Sequence, residues 1–448
     1  MYHRRLFHVT VSLAAATGLA LSGCVGTDSS SGGAQSINVL TTDASQMQNL
    51  RRLTKEHFTA ETGITVRYTL LPENEARAAV NREFASQAGH YDVASVSPYE
   101  VPIFAKNGWL TPTSAFVEDE SFDQDDIFPH LVTSLTADGK LYAEPFYGEG
   151  SFLMYRKDLF RRAGLTMPQK PTWDQVAALA AKIDGTDGVS GICLRGMPGW
   201  GQNLTPLNTV VNTFGGAWYD MKWNAQLTSP AFKEAVAFYV DLVRSYGQPD
   251  AHRMGVLEIL ETFLTGRCAM MYDATSLASS IEADGSVVKG TVGYVPAPHD
   301  KTETAGWLWT WAWGIQDAGT NKDAAWKFIS WASSKEYQQQ VGTELGWIAA
   351  PAGSRKSLYA NPDYQMAAAA WYRQEYAAET QSADPENPGV GPRPYTGIGF
   401  VGIPEYAGLG DKVSQEISAA IAGRQSVDTA LQKSQELAQA AAAKYRGE

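Results

Sequence analysis

Trp307, Trp309, Trp311 and Trp313 stand within seven residues, and both faces of the strand they would form are expected to carry indoles. Core packing explains any single one of them more readily than ligand contact does. Four together exceed what a core demands. Indole faces stack on the C–H surfaces of sugars and polyols, whose hydroxyls then need carboxylate, amide or guanidinium partners in a largely pre-formed cleft. Residues of that kind lie in loops after predicted strands: Thr42 and Asp43, Tyr99, Glu149, Arg195 with Trp200, and Asp273. Ligands of open α/β sheets collect at the carboxyl ends of strands. Each residue also has a structural reading, with Asp43 as a helix cap, Arg195 in an ion pair and Asp273 as a turn residue. Together they favour a binding cleft. A pair such as Glu149 and Asp273 could instead be the acid and base of a glycoside hydrolase, which holds two carboxylates across the scissile bond.

Other chemistry finds little support. Gly397-Ile398-Gly399-Phe400-Val401-Gly402 matches the dinucleotide-binding pattern in form. The mechanism needs a strand before it and a helix opening after it, whereas Ile403-Pro404 follows here. No phosphate-binding lysine loop, serine nucleophile elbow, zinc-protease helix or calcium loop occurs, and the seven His are scattered without metal-ligand spacing. The reading therefore assigns no catalytic residue, no metal and no cofactor.

The elements that must position the cleft alternate. Ile37–Leu40 is strand-like, Met47, Leu50, Leu53 and Phe58 lie near helical spacing, and Gly63 closes that helix. Ile64, Val66, Tyr68 and Leu70 alternate with polar residues as a half-buried strand; a helix around Glu73–Ala88 leads to a strand at Tyr91–Val96. This β-α-β-α-β start predicts an α/β fold with a mostly parallel sheet covered by helices on both faces. Asp138-Gly139 predicts a turn before a strand at Lys140–Phe146. The second region repeats the alternation: a capping box at Thr172–Gln175, a short strand at Gly191–Leu194, a Ser229-Pro230 helix start and a strand at Cys268–Tyr272. Helices are expected over Lys322–Ser334, along Val413, Ile417 and Ile421, and after a Ser426 cap.

The chain has 448 residues, 44% of them hydrophobic and 19% charged, which is enough to bury a sizeable core in two or three domains. A net charge of -12 argues against a nucleic-acid surface or a polybasic membrane patch. Arg4 and Arg5 precede an apolar run from Val9 to Leu21, too short to span a bilayer and read as a signal peptide. The run ends in Leu21-Ser22-Gly23-Cys24, which resembles the bacterial lipobox; Cys24 would be the lipidated N-terminus. A Ser/Gly-rich tether follows to Gln35. Cys193 and Cys268 remain, and pairing or free burial are both open.

Several segments in fixed order resemble the extracellular solute-binding proteins of carbohydrate ABC transporters, the family of maltose-binding protein. They are Asp138–Phe146, Met154–Phe160, Phe263–Met270, Ala324–Ile329 and Gly423–Leu431. Ile192–Gly196 with Gly199-Trp200-Gly201, Trp307–Trp309 and Phe400–Glu405 resemble its polyol-binding subgroup, which takes up sorbitol, mannitol or arabitol. The resemblance implies a two-lobed periplasmic-binding-protein fold of the class II type, with discontinuous lobes joined by hinge strands around the ligand cleft. The boundaries it implies are 1–23 signal peptide, 24–35 tether, 36–145 with 300–350 for the N-terminal lobe, and 146–299 with 351–448 for the C-terminal lobe. It places the cleft positions at Thr42, Asp43, Tyr99, Glu149, Arg195, Trp200, Asp273, Trp309 and Trp311. Many relatives have two glycines where this chain has Trp309-Thr310, and the added bulk implies a small, enclosed ligand. The expected protein is thus a monomeric, lipid-anchored receptor at the outer face of the bacterial cytoplasmic membrane, with an ABC permease as partner and no nucleic acid. Binding of a disaccharide such as trehalose or maltose, a lipid-anchored glycoside hydrolase and an adhesion or scaffold lipoprotein are the rival readings.

Overall fold

The computed structural model describes residues 35–116, 122–382, 384–386 and 388–447. The signal peptide, Cys24 and the tether before Gln35 lie outside the described residues. Eleven strands are present among the described residues: β1 Ser36–Thr42, β2 Thr65–Leu71, β3 Val93–Val96, β4 Leu110–Thr111, β5 Thr136–Ala137, β6 Lys140–Leu141, β7 Ala143–Glu149, β8 Ser151–Arg156, β9 Met270–Ala274, β10 Val292–Pro296 and β11 Trp309–Gln316.

The apolar alternation of the first hundred residues builds one sheet in the order β2-β1-β3-β11-β4, with β7 added on β11. Only β2, β1 and β3 run parallel; β11 is antiparallel to β3, β4 and β7. The sheet is therefore mixed rather than mostly parallel. The reason is that β11 is a return strand, entering from a second sheet at the edge where β1 and β3 end. Helix Glu73–Ser86 covers one face through Val80 and Phe84, and helix Lys322–Ala332 covers the other through Phe328, whose ring lies 5.9 Å from that of Trp313.

The second sheet is β10-β8-β9, antiparallel throughout. The expected strand at Gly191–Leu194 is reduced to isolated parallel bridges, Ser190 to Cys268 and Cys193 to Met271. Cys193 and Cys268 form a disulfide, their Cα atoms 6.0 Å apart. The local signals hold where they are self-contained. Asp138 and Gly139 both take positive φ, 48° and 72°, which the tight β5–β6 hairpin requires. Thr172 accepts from the Gln175 N–H at 3.2 Å while the Gln175 side chain accepts from the Thr172 N–H at 3.0 Å. Beyond the expected boundary at 350–351, Arg355 donates to the carbonyls of Phe122 and Ser333.

The chain passes from the first sheet to the second between Glu149, the last residue of β7, and Ser151, the first of β8. A loop and a helix cover this passage so closely that a Cβ at Gly148 would stand 2.5 Å from the Gly353 carbonyl oxygen, and one at Gly150 would stand 2.7 Å from the Ala378 Cβ. That helix, Tyr372–Gln381, brings two fully buried carboxyls under the passage. Burial pushes Glu375 up to about 8, against a hydrogen bond donated by Tyr364, and pushes Glu379 well above the ordinary value of 4.5. His130, with Nε2 3.5 Å from Glu379, is pushed down to about 4 by its own burial. Both carboxyls bind protons more tightly folded than unfolded, so their contribution is complete below about pH 4.5 and is lost as pH rises, that of Glu375 through about 8. Urea midpoints measured across this range should fall with rising pH, and Glu375→Gln should flatten the fall; an unchanged slope in that variant would refute the assignment.

Candidate ligand-binding site

The edge where β1 and β7 end and β11 begins faces the second sheet across a cavity of about 370 Å³. Its first-sheet wall holds Thr42 and Asp43 after β1, Glu73 and Arg77 in the first turns of helix Glu73–Ser86, Tyr147 and Glu149 of β7, and Trp309 and Trp311 of β11. The opposite wall holds Arg195, Thr205, Ser276 and the apolar side chains of Val256, Leu257 and Leu260, with Trp307 at the base of β11.

Against the expectation of indoles on both faces, Trp309, Trp311 and Trp313 are two residues apart and share one face of β11, with Ala312 on the other. The β7–β11 ladder slips between Trp311 and Ala312, leaving Phe146 as an extra residue on β7. Trp309 and Trp311 turn to the cavity, while Trp313 turns to the core, its ring 5.4 Å from that of Phe146. Trp309 is steadied by Phe400, ring centroids 5.6 Å apart, so the glycine-rich loop around Gly399 is a support for the cleft wall.

Six of the sequence-expected residues line the cavity: Thr42, Asp43, Glu149, Arg195, Trp309 and Trp311. Asp43 accepts from the Gln48 side chain at 3.0 Å. Glu149 accepts from the Ser276 hydroxyl and pairs in register with Trp309. Burial pushes its carboxyl up to about 7; Ser276 and Arg195 act against that rise, and Glu73 and Asp273 add to it. Hydroxyl donors entering the cleft favour the ionised form of such a group.

Tyr99, Trp200 and Asp273 are not part of the cavity wall: Asp273 stands behind Arg195, Trp200 packs against Trp309, and Tyr99 stands behind Trp200. Asp273, fully buried, grips Arg195 by two hydrogen bonds, one of 2.8 Å to Nε and a shorter one to Nη2, and also accepts from the Ala274 N–H. The third fixed donor of Arg195, Nη1, reaches the Gly201 carbonyl at 2.9 Å, and Tyr239 donates to the Arg195 carbonyl at 2.7 Å. Tyr99 accepts from the Ala407 N–H at 2.9 Å, and its ring lies 4.9 Å from that of Trp200. Cys24 falls outside the described residues.

Sequence reasoning missed Glu73, Arg77, Tyr147 and Ser276 as cavity residues, whereas Trp307 belongs to the indole cluster it singled out. Glu73 and Arg77 follow β2 as Asp43 follows β1, so their place after a predicted strand was the available signal. Their spacing of four also suits a solvated helix pair, and they do pair, Arg77 Nε donating to Glu73 at 3.0 Å. Two buried polar atoms on the wall, Thr42 Oγ1 and Trp309 Nε1, have no hydrogen-bond partner within the protein. A buried donor or acceptor left unpaired costs about 1–3 kcal/mol. Among the described residues, no cluster of three or more His, Cys, Asp or Glu is placed to hold a metal.

A two-walled cleft between α/β sheets, dry at its indoles and rich in fixed donors and acceptors, is the geometry of a receptor for small hydroxylated solutes. Residues 42–339 match the model of the bacterial extracellular solute-binding proteins, and the chain belongs to that family. Its fold is the two-lobed one of such proteins. The chain is 36% identical over 408 residues to the mannitol-binding protein of Pseudomonas aeruginosa, covering 90% of this chain and 92% of that one. With the erythritol/L-threitol-binding protein of Mycolicibacterium smegmatis it shares 27% over 348 residues, covering 72% and 71%. The ABC-transporter solute-binding protein of Agrobacterium vitis, solved with bound D-mannitol, is 41% identical and superposes with a TM-score of 0.89, covering 92% of this chain and 99% of that one.

Removing one partner of a buried ion pair strands the other charge, at a cost of about 3–5 kcal/mol. Asp273→Asn should therefore lower the free energy of unfolding by that order in urea titrations; a loss below about 1 kcal/mol would mean that Arg195 does not depend on Asp273.

Proposed function

We propose that this chain is the lipid-anchored receptor of an ABC importer, and that it captures a linear polyol such as mannitol, sorbitol or arabitol and delivers it to the permease unchanged. The observation that carries this reading is the make-up of the cavity wall. Trp307, Trp309 and Trp311 offer apolar faces, while Asp43, Glu73, Arg77, Glu149 and Arg195 offer polar partners on both walls. A linear polyol carries a hydroxyl on each carbon and C–H groups between, so it meets both demands along its whole length. At about 370 Å³ the cavity falls at the small end of ligand pockets, which favours a monosaccharide-sized solute over maltose or trehalose. Two relatives above a third identity support mannitol in particular, one by its name and the other by its bound D-mannitol.

The hydrolase reading loses its carboxylate pair. Asp273 is held by Arg195 outside the cavity wall, so it does not face Glu149 across a substrate bond. Binding by the receptor reading needs no turnover, cofactor or metal. Family membership supports an extracytoplasmic place for the folded body, and Leu21-Ser22-Gly23-Cys24 supports anchoring there through a lipidated Cys24. The reading takes the receptor as a monomer.

Thermal unfolding of the protein lacking residues 1–24, with and without D-mannitol, sorbitol, arabitol, xylitol, glucose, maltose and trehalose, tests the ligand class. A true ligand at about 100 times its dissociation constant adds about 2.7 kcal/mol of stability. Stabilisation by polyols is the expected result; stabilisation by maltose or trehalose alone would replace the polyol with a disaccharide. For the anchor, Cys24→Ser expressed in a bacterial host should move the protein from the membrane fraction to the soluble exported fraction, and retention in the membrane would refute lipidation at that residue.

A further inference from the structure

Elements of the two sheets also touch across the mouth of the cleft. Trp200 stands between Gly199 and Gly201 on the second-sheet side, and its ring centroid lies 4.3 Å from the guanidinium carbon of Arg77, which belongs to the first-sheet helix Glu73–Ser86. Trp309 and Trp311 face the same carbon at 4.9 and 4.8 Å. Three rings thus surround a guanidinium that is only 8% exposed, and cation–ring attraction strengthens as the cation loses water. Arg77 is turned toward Trp200 by Glu73, whose second oxygen accepts from Gln202 Nε2 of the opposite side at 3.2 Å. Gln202 in turn accepts from the Val256 N–H at 3.0 Å, and Asn74 donates across the cleft to the Pro198 carbonyl at 3.1 Å.

The approach leaves no room for side chains on the loop. A Cβ at Gly201 would stand 2.6 Å from Glu73 Oε1 and 2.9 Å from Arg77 Nε; one at Gly199 would stand 2.6 Å from the Asn74 side chain. The contacts of Trp200 with Arg77, of Gln202 with Glu73 and of Asn74 with the Pro198 carbonyl join one side to the other, and parting of the lobes would break them. Contacts present only in the closed form shift the open–closed equilibrium toward it, by as much as they differ between the two.

We propose that Trp200, Arg77, Glu73 and Gln202 form an interlobe clasp that holds the cleft shut and sets the rate at which a bound solute escapes. The proposal rests on the receptor reading above and adds positioning residues to it. Solute enters the open form, in which the clasp is unmade, so loss of the clasp raises the dissociation rate and leaves the association rate nearly unchanged.

Stopped-flow tryptophan fluorescence with D-mannitol separates the two rates. Gly201→Ala wedges the approach from a residue whose own backbone does not need positive φ, and Gln202→Met, outside the cavity wall, keeps the stem while removing the amide that donates to Glu73. Each should raise the dissociation rate about tenfold or more with the association rate within about threefold. Trp200→Phe keeps a ring over Arg77 and should fall between these variants and the parent. An association rate that falls while dissociation is unchanged would overturn the clasp. A second readout needs no ligand: energy transfer between dyes at Glu61→Cys and Asp241→Cys, exposed positions on the two lobes, should report a larger mean separation in Gly201→Ala than in the parent. Equal separations would overturn the clasp, whereas failure of D-mannitol to bind the parent would count against the polyol and leave the separation measurement to decide the clasp.

Discussion

The structure depends on one constraint of chain geometry: Glu149 ends a strand of one sheet, Ser151 begins a strand of the other, and a single residue lies between. So short a passage forces the ends of the two sheets together, and the space left beside it is the cleft. It fixes Glu149 at the floor, in register with Trp309 on the returning strand. It also explains the glycines at 148 and 150, because the loop near Gly353 and the helix bearing Ala378 must lie directly on the backbone there to keep the passage dry. The cost falls on the buried carboxyls beneath it, Glu375 and Glu379, which stay protonated well above the ordinary carboxyl range.

The two walls solve the problem of polar groups in a dry site differently. On the second-sheet side Arg195 gives three of its five N–H donors to Asp273 and the Gly201 carbonyl, so its orientation is settled by protein groups while two donors stay free for a ligand. On the first-sheet side the Thr42 hydroxyl and the Trp309 N–H have no protein partner. One wall is thus a fixed frame with donors to spare, and the other carries unmet hydrogen-bonding capacity. That division suits discrimination among stereoisomers, because an inverted hydroxyl meets groups that cannot turn to follow it.

Much of this was legible in the residues. The β1–β3 alternation, the Asp138-Gly139 turn and the Thr172 capping box depend on neighbours within a few positions, and they appear as read. The tryptophan cluster pointed to the cleft, and Thr42, Asp43, Glu149 and Arg195 lie on its wall. What escaped the sequence was set by contacts distant along the chain. The antiparallel insertion of β11 follows from the crossing between sheets, which no local pattern records. Asp273 looked like a ligand partner because a carboxylate after a strand reads the same whether it faces the cleft or the arginine behind it. Arg77 was not singled out, because the indoles around it come from residues 200, 309 and 311.

The disulfide gives the second wall a dependence on its chemical surroundings. Cys193 stands two residues before Arg195 and Cys268 five before Asp273, so the crosslink ties together the segments that carry the buried ion pair. Its sulfurs join positions 75 residues apart, a closure worth about 4.5 kcal/mol in the chain-entropy account. Under reducing conditions the unfolded chain recovers that freedom. The arginine side of the cleft then loses part of its hold, while the mixed sheet opposite contains no cysteine. Oxidation is therefore a condition on the firmness of the arginine wall that the opposite wall does not share.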